Sequence, residues 1–258
     1  TNNIPAGAYR GFGVTQSCFA TEFNLDLLAE QVGITPWEIR YRNAIRPGQT
    51  LPNGQIATPD CALAQTLEAV KEVYDSHPYA GIASCMKNSG IGVGNPDIGR
   101  CSLRIRDGKV QVLTSAACMG QGVGTVAIQI VCETTGLRAD QVTHKKANTI
   151  DTPDSGTSTA SRQTLFTGEA TRKAALKLKD ALQDKKSLDE LEGQEFNAEY
   201  TGVTDAMGSE KEHPVSHIAY GYATQVVILD ESGKVTEVVA AHAVGTAITV
   251  QSCEGHVE

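Results

Sequence analysis

At Pro78 the apolar residues change their spacing, and that change restricts the fold more than any single motif does. Upstream, Phe23, Leu27, Leu28 and Val32 recur at helical steps, and Leu63, Leu67, Val70 and Tyr74 do the same. Downstream the pattern alternates. Cys101-Ser102-Leu103-Arg104-Ile105-Arg106 and Val110-Gln111-Val112-Leu113 flank Asp107-Gly108, the strongest short hairpin signal. Residues 223–230 and 235–243 flank Glu231-Ser232-Gly233-Lys234 in the same manner. Helices mixed with antiparallel hairpins specify an α+β fold, because the regular strand–helix alternation of a parallel doubly wound sheet is missing.

The helical half resolves into three elements. Residues 22–32 form the first, with Gly33 as its stop. Thr35, Pro36 and Glu38 give the second a capping box with proline at its first position. Turn residues fill 46–57, and Thr58-Pro59 opens the third helix. In the other half, 125–133 and 169–182 read as helices, whereas the charged stretch 184–200 reads as a solvated helix end and loop. Each hairpin leads into a glycine-containing loop and a further segment, so the chain reads as an internal duplication of a hairpin, loop and helix unit. The expected division is a helical segment 1–78 carrying a cofactor or substrate loop, and two α+β lobes over 79–258. These lobes cover 79–200 and 201–258, the second truncated.

Composition removes several function classes. The 258 residues suffice for a buried core, and a net charge of −8 with no basic cluster argues against nucleic acid. No apolar run approaches the roughly 20 residues that cross a bilayer, so no membrane partner is expected. Seven cysteines form no CxxC pair, which is simplest for reduced thiols in a cytoplasmic protein. Cys85, Cys118 and Cys253 read as small core hydrophobes. His213 and His217 are separated by Pro214, which spoils a helical pair of ligands, and they are placed in a loop and strand start. The start at Thr1 and the end at Glu258 read as those of a piece of something longer.

Three loops are suited to a ligand: Gly7-Ala8-Tyr9-Arg10-Gly11-Phe12-Gly13, Met119-Gly120-Gln121-Gly122-Val123-Gly124, and Ser155-Gly156-Thr157-Ser158-Thr159-Ala160-Ser161. Glycines let a backbone approach a ligand closely, and successive N–H groups ahead of a helix form a nest for an anionic oxygen. The alternative is that the glycines only serve turns and the hydroxyls only cap helices. None of the loops fits the dinucleotide or P-loop fingerprints. Tyr9 and Phe12 lie inside a glycine loop, where Phe12 either stacks on a flat ligand or plugs the core beside it.

In combination these segments resemble the xanthine dehydrogenase and aldehyde oxidase family. Residues 7–16 are similar to its FRGFGxPQ segment, with Tyr9 for the first Phe and Thr15 for Pro. In the same order come Gly81-Ile82-Ala83-Ser84-Cys85, the Met119-Gly120-Gln121-Gly122 loop, Thr159-Ala160-Ser161, Tyr220-Gly221-Tyr222-Ala223, and Glu254-Gly255-His256-Val257-Glu258, which is similar to GQVEG. The landmarks extend across essentially the whole chain. Residues 12–18 taken with 117–122 most resemble the selenium-dependent xanthine dehydrogenase-like branch.

The resemblance implies part of the molybdenum-cofactor subunit of a hydroxylase that inserts oxygen from water into a C–H bond of a purine, another heteroaromatic or an aldehyde. It implies two α+β lobes gripping a molybdenum–molybdopterin cofactor in its cytosine dinucleotide form, with selenium as a further ligand in the branch named. Arg10, Gly11, Gly120, Gln121, Gly122, Ala160, Ser161 and His256 would then contact the cofactor, and Phe12, Ser84 and Cys85 the substrate. Electrons would leave through iron–sulfur and FAD subunits or domains, and the rest of the molybdenum subunit would be a partner. Two departures stand out. His256 replaces the Gln of GQVEG, and Ser84 lies where purine-oxidising relatives often carry an aromatic clamp. The general-base Glu is expected beyond residue 258, so no catalytic residue is assigned here, and the isolated chain is expected to be inactive and without bound cofactor. The rival expectation is a non-catalytic interaction or assembly domain that keeps the fold and docks through its acidic 184–196 stretch.

Overall fold

The computed structural model describes residue 2 and residues 9–184 and 187–257. Residues Gly7 and Ala8 of the first glycine loop lie outside them. The chain divides into two compact units, one built from residues 1–88 with 220–245 and the other from 89–219 with 246–258. This grouping cuts across the sequence division at 78/79 and 200/201, because the 220–245 hairpin joins the helical segment rather than forming a lobe with the residues after it.

In the first unit, helix α1 spans Val14–Val32. It begins eight residues earlier than the sequence reading places it, and Phe19 and Phe23, one turn apart with ring centroids 6.3 Å apart, are exposed, as are Leu27, Leu28 and Val32. Gly33 ends it in the left-handed conformation, and Ile34 closes the end by donating to the Ala29 carbonyl at 3.1 Å. Helix α2, Pro36–Asn43, is capped as its sequence dictates: the Thr35 hydroxyl accepts from the Glu38 amide at 3.1 Å. The expected third helix is two, α3 (Leu63–Ala69) and α4 (Lys71–Ser76), hinged at Val70.

Strands β1 (Ala80–Ser89), β6 (Ala219–Leu229) and β7 (Val235–Ala243) form a three-stranded sheet in the order β1-β6-β7. Trp37, Leu67, Val70, Ile82, Val226 and Ile228 make its core. Trp37 donates its indole N–H to the Leu67 carbonyl at 2.8 Å, which satisfies the one polar atom the ring buries.

In the second unit, β2 (Asp97–Arg106) and β3 (Lys109–Leu113) form the expected hairpin, with Arg106 opposite Lys109. Asp107 and Gly108 both have positive φ, 54° and 65°, the pairing that a two-residue turn matching strand twist requires. Strand β4 (Val142–His144) adds parallel to β3, and β5 (Glu195–Gly202) adds antiparallel to β2, giving the order β4-β3-β2-β5.

The presence of β5 corrects the reading of 184–200 as a solvated loop. Its residues alternate: Phe196, Ala198 and Tyr200 pack on the core, while Glu195 and Glu199 pair with Arg104 and Arg100 of β2 at 2.5 and 2.6 Å. Cross-strand ion pairing thus takes up two of the six carboxylates of 184–200, Glu195 and Glu199. Leu191, just before β5, is fully buried. Helices α5 (Val123–Thr135) and α6 (Gly168–Gln183) pack on the core through Ala127, Val131, Ala170, Ala174 and Leu178, against Leu103, Ile105, Val110 and Val112.

A last helix, α7 (Val250–Val257), comes after β7. Hairpin, loop and helix therefore recur in order. The α7 helix, however, groups with the second unit and its hairpin with the first. The 213–217 segment is irregular throughout, and the strand expected to start there, β6, begins only at Ala219.

Candidate functional site

Of the residues singled out from sequence, Gly120, Gln121 and Gly122 lie at the N-terminus of α5 in the second unit, which also holds Ala160, Ser161 and His256. Gly122 caps this helix at φ 76° with no side-chain cap, which leaves the first amides of the helix pointing outward. The exposed Cys118 thiol lies against the N–H groups of Gly120, Gly122 and Val123. Hydrogen bonds from Gly120, then Gly122, lower its pKa below the ordinary thiol value. A Cβ on Gly120 would meet nothing within 4 Å. This corner thus offers several amide donors and open space to an anionic oxygen.

Gln121 is spent on holding the loop. Its Oε1 accepts from the Met119 amide at 2.5 Å, and its Nε2 donates to the Ala117 carbonyl at 2.8 Å. That carbonyl also accepts from the Ser158 hydroxyl at 3.0 Å. The glycine loop and the hydroxyl-rich loop, 37 residues apart from Gln121 to Ser158, are therefore tied to one oxygen.

The hydroxyl-rich loop is organised by a residue that no sequence motif marks. Arg162 is 1% exposed and pairs with Asp97, itself buried. Its guanidinium donates to the carbonyls of Ser155 at 2.7 Å, Thr157 at 3.0 Å and Ile98 at 2.5 Å. Ser155, also buried, accepts the Arg100 amide at 2.9 Å. Held this way, Ala160 and Ser161 adopt positive φ of 49° and 52°, a conformation costing non-glycine residues about 1–3 kcal/mol each. The Ala160 carbonyl accepts from Gly90, and Ser161 stays exposed. A π-helical turn, Gln163–Thr167, connects the loop to α6. The signal available in sequence was an arginine directly after a run of small and hydroxyl residues; its partner Asp97 is 65 positions away.

The α7 helix packs beside the same corner: Thr249 donates a short hydrogen bond to Gln129 of α5, and a Cβ on Gly122 would sit 3.6 Å from Ser252 Oγ. His256 turns its ring back onto its own helix, its Nδ1 bonded to the Ser252 carbonyl.

In the first unit the remaining residues fall into two groups. Arg10, Gly11 and Phe12 form a turn closed by Phe12 N–H donating to Tyr9 O at 2.6 Å, ahead of α1. Phe12, with φ 55°, is 78% exposed and so does not plug the core. Ser84 and Cys85 lie on β1. The Ser84 amide donates to Glu22 at 2.7 Å, and Glu22 in turn pairs with the buried Arg40 at 2.6 Å. The reading of Cys85, Cys118 and Cys253 as core residues is overturned: Cys85 and Cys118 are exposed and Cys253 is half-buried, because each sits at a strand surface or near a helix terminus rather than on an inward stripe. Among the described residues no group of three or more His, Cys, Asp or Glu side chains is arranged to hold a metal, and no helix is long and apolar enough to cross a membrane.

Residues 68–258 match the family described as molybdopterin cofactor-binding domain, and residues 1–44 match a second family of the same description. The chain belongs to the molybdopterin cofactor-binding domain family. Among curated relatives, this molybdopterin cofactor-binding chain is 32% identical over 228 residues to an aldehyde oxidoreductase of Megalodesulfovibrio gigas, a match covering 81% of the chain and 25% of the relative. It is 36% identical over 176 residues to a probable xanthine dehydrogenase subunit of Bacillus subtilis (strain 168), covering 64% and 24%. Among solved structures, an aldehyde oxidoreductase from Desulfovibrio gigas superposes with a TM-score of 0.84 at 27% identity, covering 99% of this chain and 31% of that one. Quinoline 2-oxidoreductase from Pseudomonas putida 86, at 21% identity and a TM-score of 0.77, shares the fold; the match covers 99% of this chain and 40% of that one. The chain spans about a quarter of the length of the curated relatives it matches. The α+β fold and the family agree with the reading of the sequence.

Proposed function

We propose that this chain supplies part of the cofactor grip of a molybdenum hydroxylase acting on a heteroaromatic or aldehyde substrate. The observation that carries this is the Ala117 carbonyl, which holds Gln121 and Ser158 together beside the Gly120, Gly122 and Val123 amides that face the exposed Cys118. Amide donors at a helix N-terminus suit phosphate and pterin oxygens, so the residues present fit an anionic pterin cofactor. When bound, that cofactor would supply the two-electron oxidation of a C–H bond, with oxygen drawn from water.

The chain's own residues would bind and orient. The amides of Gly120, Gly122 and Val123 would donate to anionic oxygens, and Gln121 would fix the loop that presents them. Ser161, exposed on a loop held rigid from beneath by Arg162, would meet the dinucleotide portion, for which the cytosine form is our reading. Arg10 and Gly11 would line the cofactor pocket, and Phe12, with its ring free, would stack on a planar substrate that Ser84 and Cys85 also contact. His256, turned onto α7, would reach the cofactor only after leaving the Ser252 carbonyl. Iron–sulfur and FAD partners would take the electrons. Selenium belongs to this reading through the likeness of residues 12–18 and 117–122 to the selenium-dependent branch.

The test is molybdenum and pterin content of the full-length protein, produced with its partner subunits in a host that makes the cofactor. Stoichiometric molybdenum that falls in Gln121→Ala supports the assignment. A molybdenum-free protein from a competent host favours the assembly-domain reading instead. Turnover of xanthine, nicotinate and an aromatic aldehyde by the loaded protein separates the substrate classes, and selenium content separates the branch.

A further inference from the structure

Cys18 and Cys85 are far apart in sequence yet meet where α1 faces β1. The Cys18 thiol donates to the Ser84 carbonyl at 3.9 Å, which brings it beside Cys85, close enough for each thiol to shift the other's ionisation. Glu22, one helical turn after Cys18, accepts the Ser84 amide at 2.7 Å and so anchors the same stretch of β1 to the same face of α1. Both backbone polar groups of Ser84 are thus engaged by α1, which holds β1 against this helix at the residue next to Cys85. Cys85 is exposed and Cys18 half-buried, so a small reagent reaches the pair from the Cys85 side.

We propose that Cys18 and Cys85 form a redox-active dithiol that closes to an intramolecular disulfide by exchange with a low-molecular-weight disulfide. In the first step a thiolate of the pair attacks one sulfur of the reagent, forming a mixed disulfide and expelling one reagent thiolate. In the second the other cysteine attacks the protein-bound sulfur and expels the remaining reagent thiol. The chain loses two thiol protons and two electrons, and the reagent is reduced to two thiols, so the exchange balances without any bound cofactor. Both thiols lie above the ordinary value. Burial raises each, and the Glu22 carboxylate raises both further, against the Arg40 guanidinium, which lowers Cys18. The pair is therefore held as thiols at neutral pH, and its closure is slow until the medium is mildly alkaline. Once closed, the bond fixes the early part of α1, six residues after Phe12, to the central part of β1.

The experiment is incubation of the folded full-length protein with oxidised glutathione at mildly alkaline pH, then alkylation, proteolysis and mass spectrometry. The expected product is a peptide pair joined through Cys18 and Cys85, with two fewer free thiols per chain and the bridge reversed by a reducing thiol. In Cys85→Ser the bridge disappears and Cys18 retains glutathione as a mixed disulfide. Recovery of Cys18 and Cys85 each alkylated, or each carrying its own glutathione, overturns the proposal. So does a bridge that forms only after denaturation, because the folded contact would then play no part in it.

Discussion

Gln121 and Ser158 donate to one acceptor, the Ala117 carbonyl, at 2.8 and 3.0 Å. Through that atom the loop ahead of α5 and the loop ahead of α6 become one surface. Neutral hydrogen bonds of this kind contribute about 1 kcal/mol each. Gln121→Ala removes the Ala117 and Met119 contacts together, so the loop loses about 2 kcal/mol of local order without exposing any core. Molybdenum per chain in the full-length protein is expected to fall several-fold while the melting temperature moves little. Unchanged metal content would remove Gln121 from the site.

Arg162 beneath the hydroxyl-rich loop is a different case. Removing one partner of a buried ion pair leaves an uncompensated charge and costs about 3–5 kcal/mol. Arg162→Met is expected to lower the melting temperature by about 10 °C or more, since about 1 kcal/mol moves a chain of this size by a few degrees. Adding Asp97→Leu should restore part of the loss. If the double variant is as unstable as the sum of the two singles, the two side chains do not act as a pair.

Cys118 and the Cys18–Cys85 pair are pushed in opposite directions. The amides of Gly120 and Gly122 lower the Cys118 thiol, whereas burial raises Cys18 and Cys85. A lowered thiol is thiolate over more of the neutral range, and the thiolate is the nucleophile. Cys118 is therefore expected to react with iodoacetamide faster than either other cysteine at neutral pH. The gap should narrow as pH rises and the other two ionise. Since the same amides are the proposed anion donors, bound cofactor should shield Cys118 from the reagent. Equal labelling rates for the three thiols at neutral pH would contradict the loop geometry.

The β2–β3 turn gives a test of the fold alone. Gly108 sits at φ 65°, and a Cβ there would lie 3.0 Å from Asp189 Oδ1. Gly108→Val combines left-handed strain with β-branching, for a cost of about 1–2 kcal/mol or more. Asp107→Asn keeps a residue type that tolerates positive φ and should be nearly neutral. Chemical denaturation of both variants measures the difference; equal stabilities would mean that the turn is not of the kind described.

Local chemistry made much of this protein readable from its sequence. The Thr35 cap, the Gly33 stop, the Asp107-Gly108 turn and the alternation of 101–113 each depend on neighbours a few residues away. The order of loops, Phe12 before Gln121 before Ser161, was enough to point to the family. What failed did so for long-range reasons. Residues 195–200, within the 184–200 stretch, look like solvated acidic chain until Arg100 and Arg104 of β2 are placed opposite Glu199 and Glu195.

The sequence by itself determined the α+β class and the hairpins, and it marked the loops proposed to meet a ligand, since periodicity and turn residues act within one or two turns of chain. Tertiary structure alone decided that Ala117 would hold two loops at once, that Arg162 would find Asp97 in the core, and that Cys18 would meet Cys85. These pairings join residues up to 67 positions apart. They arise from close packing of strands and helices brought together by burial, and no local pattern encodes which distant polar atom will be left facing another.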